Sequence, residues 1–439
     1  MYFLEFLKKN FRYIKLNNRK KLLKKFIILF FYFIFIPPIY LVSFLNFLVF
    51  RLISPFVKIR IQRLISQRLG HFLAESEIYL CEKFNNKEKK NIKIIDLFYY
   101  DYFVCNHKVD KMVKDKIIVL PKFILKPIHD INIFFNIIFE KLNITKNLNN
   151  FIVPRPIGAD RDIKNLLEKS PQQLTLTGDD EYKAKKCLID MGIKDNKFVC
   201  LAVRDENYIK VSQPKMYWKD QNFRNGNIYD YLDAAEELTK RGYFVLRMGL
   251  HNKEKLMTTN PMIIDYSFSE FRSDLMDIYL GGNCTFCISS GLGFDAIPYV
   301  FRRPIAYVYT PIGRLFTFAK DSMAITKNYY SDEKKRYLNI DEIFENNLAF
   351  ITKNDDFDNK KIQITHNLSD DIKNLVIEMD DRLNDRFNTN EEENNLQKIF
   401  WEKYFKLIKK YNKKNLHGRN NMKICSSFLK KNKNLLINE

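Results

Sequence analysis

From about residue 55 onward, short apolar runs rich in β-branched residues alternate with segments of helical periodicity. The runs fall at 57–61, 92–98, 117–120, 198–203, 243–248, 262–265, 285–288 and 305–308. Helical patterns stand between them, at 70–84, 130–142, 178–191, 228–241, 271–280 and 292–300. A chain that alternates in this way buries both faces of its strands, which leaves parallel sheets covered by helices as the fold class. No internal repeat of 20–50 residues replaces that reading with a solenoid.

The alternation breaks near 143–180, a stretch rich in Asn, Pro and polar residues, and again after Asp332, where the chain turns acidic and Asn-rich. Leu396, Ile399, Phe400, Tyr404, Leu407, Ile408 and Tyr411 then recur at helical spacing. The expected organisation is a basic segment and membrane anchor over 1–54, an α/β domain over 55–177, a second over 178–350, and a helical extension over 351–439.

The anchor rests on residues 26–50, which carry no charge and follow nine Lys/Arg in residues 8–25. The run is too long for a signal peptide and no small-residue cleavage site follows it. Pro37-Pro38 divides it into pieces of 11 and 12 residues, each about 17 Å long as helix and so about half of a bilayer core. Arg51, Lys58, Arg60, Arg63 and Arg68 follow without an acid, so both flanks prefer the cytoplasmic side. A re-entrant hairpin or a helix pair in the interface meets both conditions; a kinked spanning helix meets the first alone.

The formal charge of +21 does not point to nucleic acid. Residues 1–68 hold 14 basic and one acidic group, and residues 403–439 hold 11 and one. The remaining body carries 48 basic and 50 acidic groups, so it lacks the basic patch that a nucleic-acid site needs. Basic ends suit anionic lipid, and the expected partner is membrane lipid. Seven scattered cysteines form no disulfide framework. Cys284 and Cys287 make a CxxC without a second pair, so two strand thiols are expected and no metal.

Several strand ends carry chemistry. In FVCLAVRD (198–205) an apolar run delivers Arg204 and Asp205 at the carboxyl end, where open α/β sheets bind ligands, and a guanidinium offers a diphosphate a two-pronged fork. The alternative is a structural ion pair. In CTFCISSGLGFDAIPYVFRRP (284–304) a strand runs into Ser289, Ser290 and Gly291 and a helix begins near Leu292. Hydroxyls and backbone N–H groups there suit phosphate, and Asp295 could accept from ribose; an ordinary capped turn explains the same residues. YFVLRMG (243–249) ends on Arg247. FRSDLMD (271–277) carries Arg272, with Ser273 as cap and Asp274 and Asp277 in the first turn. RLGHF (68–72) follows the first strand and places His71 four residues before Glu75, either of which could serve as a general base for a hydroxyl.

RLGHF, FVCLAVRD, FRN (223–225), GYFVLRMG (242–249), DYSFSEFRSDLMDIYL (265–280), SSGLGFDAIPYVFRRPI (289–305) and the closing HGR…SSFLKKN (417–432) stand together in one order. Over roughly residues 50–435 the chain resembles a family of bacterial glycosyltransferases assigned to surface-polysaccharide and lipopolysaccharide gene clusters. The resemblance implies two Rossmann-like domains of the GT-B kind, with a nucleotide sugar mainly on the second and the acceptor in the cleft. It implies transfer from a nucleoside-diphosphate sugar to a glycan or lipid-linked acceptor at the cytoplasmic face of the bacterial inner membrane. No cofactor is expected beyond the donor itself. Arg204, Asp205, Arg247, Arg272, Ser289, Ser290, Gly291 and Asp295 are the expected donor-side residues, with His71 and Glu75 on the acceptor side. A sugar-nucleotide epimerase and a non-catalytic scaffold of a polysaccharide assembly complex are the alternatives.

Overall fold

The computed structural model describes residues 37–85, 92–142, 151–153, 161–195, 197–212, 219–315, 320–411 and 421–436. Its contacts divide the chain into two compact units that interleave in sequence. The smaller takes 1–63, 90–100 and 117–154, the larger 64–89, 101–116 and 155–439.

The smaller unit is built on strands β1 (Val57–Leu64), β2 (Lys93–Tyr100) and β3 (Ile118–Val119), in that spatial order, with β2 and β3 parallel. Arg60 grips Asp96 through two bonds of 2.6 and 2.7 Å, tying β1 to β2. Ile61 and Tyr99 close a core with Leu125 and Ile128 of the helix Lys122–Lys141. That helix begins earlier than the pattern at 130–142 suggests. Pro127 breaks the pattern on paper and lies inside the helix, one turn beyond Phe123, whose carbonyl goes without the N–H that would otherwise reach it. Residues 37–52 are helical among the described residues. This helix stacks its Phe47 on Phe135 at 4.9 Å, and its Tyr40 donates to Asp130 at 3.0 Å. Its other face exposes Leu41, Val42, Leu45, Leu48, Val49 and Leu52. The first half of the uncharged run, 26–36, lies outside the described residues, as does the basic segment before it. Among the described residues no helix is long and apolar enough to cross a membrane.

The larger unit carries β4 (Phe198–Ala202), β5 (Phe244–Arg247), β6 (Ile263–Ile264), β7 (Cys287–Ser289), β8 (Ile305–Thr310) and β9 (Met323–Thr326), followed by β10 (Asn328–Ser331), β11 (Arg336–Tyr337), β12 (Ile362–Thr365) and β13 (Lys423–Ile424). Seven of these make one parallel sheet in the order β13-β9-β8-β7-β4-β5-β6. β4, β7, β8 and β9 are buried along their whole length, as strands covered on both faces must be. Cys284 and Cys287 are fully buried here, more so than half-covered strand thiols would be. β10 pairs antiparallel with both β11 and β12.

Local chemistry sets the helix starts. Thr177 and Asp180 form a reciprocal capping box at Gly178–Asp190, and Ser273 caps Asp274–Asn283 by accepting from Met276. The periodic stripe near the carboxyl end forms the helix Glu391–Tyr411 with Leu396, Phe400, Tyr404, Leu407 and Ile408 buried. The extension read as helical also supplies β12 and β13. The mixed α/β class with parallel sheets is what the structure shows. The HGR piece of the closing motif, 417–419, lies outside the described residues.

Candidate functional site

In the seven-stranded sheet the strand order reverses between β4 and β7, with β5 and β6 to one side and β8, β9 and β13 to the other. Open parallel sheets bind ligands outside the strand ends at such a reversal. Val203, Arg204 and Asp205 follow β4 there, and Ser290 and Gly291 follow β7. The two motifs meet directly: the Arg204 N–H donates to Ser290 Oγ at 2.7 Å.

The turn after β7 is a closed hydrogen-bond circuit. Ser289 Oγ donates to Asp295 and accepts from the Gly291 N–H at 3.0 Å. Asp295 also accepts from the Leu292 N–H at 3.1 Å, and the Ser290 N–H goes to Ala202 O. Gly291 sits at φ +79 with nothing within 4 Å of a would-be Cβ, so its backbone conformation, not crowding, calls for glycine. Burial pushes the Asp295 carboxyl up to about 7, against the pull of Ser289. The hydroxyls and the carboxylate are thus engaged in shaping the turn.

The positive charge comes from arginines and one lysine. Arg204 is 7% exposed; its guanidinium donates to Asn225 and to Gln221 O at 3.1 Å. Arg224 donates to Gly291 O at 2.6 Å and to Gln221 Oε1 at 3.0 Å, which ties the segment Lys219–Arg224 to the turn after β7. Arg314, beyond β8, and Lys327, immediately after β9, complete the set. Burial lowers the pKa of all four groups, and each is lowered further by a neighbouring cation. Arg314 acts on Arg204, Arg204 on Arg224, Arg224 on Arg314, and both Arg204 and Arg224 on Lys327. Like charges held this close call for an anion between them.

The other expected residues are placed differently. Asp205 accepts from the Asn207 and Lys253 N–H groups at 2.8 and 3.0 Å. Arg247 is 4% exposed and donates to Glu254 O and Asp265, so it fastens the connection between β5 and β6. Both line a cavity of about 360 Å³ with Asn222, Asn225, Gly226 and Asn227, beside β4 and β5. Arg272 pairs with Asp277 at 2.9 Å, and Tyr266 donates to the same carboxylate. Burial pushes Asp277 up to about 6. Asp274 accepts from the His107 N–H at 2.7 Å.

His71 and Glu75 lie one turn apart on the helix Leu69–Asn85, in the larger unit. His71 Nδ1 is 2.8 Å from Glu75 Oε1. An ionised carboxylate only accepts, so this bond puts the ring proton on Nδ1 and leaves the Nε2 lone pair free to take a proton. Glu75 is buried and His71 partly exposed. The helix reaches the turn after β7 through glycines: a Cβ on Gly70 would stand 3.1 Å from Gly293 Cα. The base candidate and the cationic strand ends therefore belong to one packed arrangement.

No family model matches the chain, and no curated protein matches it. Among solved structures it is similar to the ADP-heptose LPS heptosyltransferase II of E. coli, at 11% identity and a TM-score of 0.34 over 58% of this chain and 85% of that one. It is also similar to a glycosyl transferase family 9 protein of Veillonella parvula, at 12% identity and a TM-score of 0.38 over 74% and 96%. The site is therefore read from its own residues.

Arg314 and Lys327 are absent from the strand-end motifs above, and Arg224 enters there only inside FRN. The signal for Lys327 is present in the sequence: Ala-Ile-Thr-Lys ends as Leu-Ala-Val-Arg and Val-Leu-Arg do, with an apolar run delivering a basic residue. Among the described residues no group of three or more His, Cys, Asp or Glu is arranged to hold a metal ion.

Proposed function

We propose that this chain is a GT-B-type glycosyltransferase that takes a sugar from a nucleoside-diphosphate donor. The observation that carries the reading is the pair of arginines at the strand-order reversal, where Arg204 touches Ser290 and Arg224 touches Gly291. The diphosphate leaving group gains charge as the sugar departs, so preorganised guanidinium groups stabilise the transition state more than the ground state. His71, oriented by Glu75, takes the proton from the acceptor hydroxyl. The protein's own groups account for proton removal and leaving-group charge, and the reading calls for no further cofactor.

The acceptor is read as a lipid-linked saccharide of surface polysaccharide or lipopolysaccharide synthesis, met at the cytoplasmic face of the inner membrane. The apolar face of helix 37–52 and the basic charge of residues 1–68 support that placement. Titration calorimetry with nucleoside diphosphates tests the donor side. The parent should bind one of them, and Arg204→Ala should bind it at least tenfold more weakly while melting normally. Equal binding by both proteins removes the donor site from this edge, and conversion of the donor with no acceptor present would favour an epimerase.

A further inference from the structure

The ends of β8 and β9 hold more hydrogen-bonding capacity than the protein uses. Lys327 is 1% exposed, and among the described residues its Nζ has no hydrogen-bond partner; it stands 5.0 Å from the centre of the Tyr309 ring. Thr310 and Thr326, register partners across β8 and β9, are buried, and their hydroxyls are also without partners among the described residues. Buried polar atoms in a folded protein find partners in the great majority of cases, so three orphans at adjoining strand ends point to a ligand.

The surroundings are built to hold this arrangement. Tyr309 adopts φ +55, rare for a non-glycine residue; its N–H donates to Asn367 at 2.9 Å, and Asn367 donates to Thr326 O at 2.9 Å. The turn Ile312–Arg314 is pinned on three sides. The Ile312 N–H donates to Tyr329 at 3.3 Å, Gly313 lies against Ala349 with no room for a Cβ, and Tyr404 donates to Leu315 O at 3.1 Å. Arg314 is thus presented by a fixed turn, and among the described residues no acidic group pairs with it or with Lys327.

A sugar nucleotide brings two charges on its diphosphate, which the forks of Arg204 and Arg224 can neutralise. Lys327 would remain a buried charge, and Arg314 a half-buried one, without a counter-ion among the described residues, an expensive state for Lys327 above all. We propose that Lys327, Arg314, Thr310 and Thr326 form a second oxyanion subsite, which takes a carboxylate or phosphate carried by the substrates in addition to the donor's diphosphate. The inference rests on the donor reading above. The group belongs either to the transferred sugar, as an acidic sugar, or to the acceptor, as a phosphate.

The test titrates inorganic phosphate into the full-length protein already saturated with the nucleoside diphosphate it binds. Phosphate should bind the loaded parent, and at least tenfold more weakly to Lys327→Met and Arg314→Gln. Nucleoside diphosphate binding should suffer far less in these variants than in Arg204→Ala, and Lys327→Arg should restore phosphate binding in part. Comparison of UDP-glucuronate with UDP-glucose, or the equivalent pair on the preferred nucleotide, separates the sources. A Lys327-dependent preference for the acid places the group on the donor; no preference, with phosphate still bound, places it on the acceptor. The proposal is overturned if loaded parent binds no phosphate, or if Lys327→Met loses nucleoside diphosphate as severely as Arg204→Ala. If the parent binds no nucleoside diphosphate, the donor reading fails by itself, and phosphate titration of the empty protein then decides whether the subsite exists. Should Lys327→Met fail to fold, the half-buried Arg314→Gln carries the same measurement.

Discussion

At the residue scale, Arg204→Ala should remove about 2–4 kcal/mol of transition-state stabilisation, comparable to the loss of a preorganised oxyanion donor. Arg204→Lys should recover only part, since an ammonium lacks the planar two-nitrogen fork that can meet a diphosphate; Nη1 alone is taken up by Asn225 and Gln221. Single-turnover transfer assays on the two variants check the order. His71→Ala should cut turnover by about 10²-fold with donor binding intact. Glu75→Gln should fall between it and the parent, because an amide oxygen can still accept from Nδ1–H but no longer supplies the negative charge that stabilises the protonated ring. A Glu75→Gln enzyme as slow as His71→Ala would make Glu75 the base. Lys327 has its own signature. Burial, followed by Arg204 and Arg224, pushes its pKa down to about 8, and it faces the Tyr309 ring, whose hydroxyl donates to Asp230, with His366 on the ring's edge. An anion favours the charged form, so phosphate affinity should be full well below pH 8 and decline as pH rises through it. The same titration on Lys327→Met should lack the step near pH 8 and keep only the slopes that phosphate's own ionisation and Arg314, lowered by burial to about 9, contribute.

At the scale of elements, the contact between Gly70 and Gly293 lets two motifs 220 residues apart share one edge. Gly70→Val should force that contact apart and destabilise the fold by about 1–3 kcal/mol, read as a lower midpoint in urea. Gly291→Val meets no atom; its cost comes from φ alone, so it should disturb nucleotide binding more than stability. The sequence shows these elements unevenly. Residues 198–205 and 284–291 were legible because a long apolar run ends abruptly in functional residue types, and their meeting follows from parallel topology. That Ser289 and Asp295 would spend their bonds on each other, and Ser290 its hydroxyl on the Arg204 N–H, was not legible, since hydrogen-bond direction depends on the turn. Arg247 and Arg272 looked like ligands at strand and helix ends, but Asp265 and Asp277 lie 18 and five positions away and only folding reveals them as partners. β9, β12 and β13 escaped although β5, β6 and β7 are as short, because polar residues hem in or interrupt their apolar positions, as Lys327 and Gln363 do.

At the scale of the whole molecule, the exposed apolar residues of helix 37–52 and the basic amino-terminal segment predict attachment to anionic lipid. The full-length protein should float with vesicles containing phosphatidylglycerol and less so with neutral ones. Leu45→Glu with Leu48→Glu should weaken that binding at least tenfold, and high salt should weaken the parent. Flotation unaffected by either change would show that neither the apolar face of helix 37–52 nor the basic charge holds the protein to lipid. The main sheet carries a different consequence, one of timing. β13 pairs Lys423 with Met323, so the outer edge of β9 finds its partner only after a hundred further residues. At a synthesis rate of roughly 5–20 residues per second, a ribosome leaves that edge bare for about 5–20 seconds. All four residues of β9 end up buried, and for that interval they are an open template for any neighbouring nascent chain. Tyr404, which pins the turn bearing Arg314, arrives within the same interval, so a chain still on the ribosome holds its donor strands before it can hold a second anion.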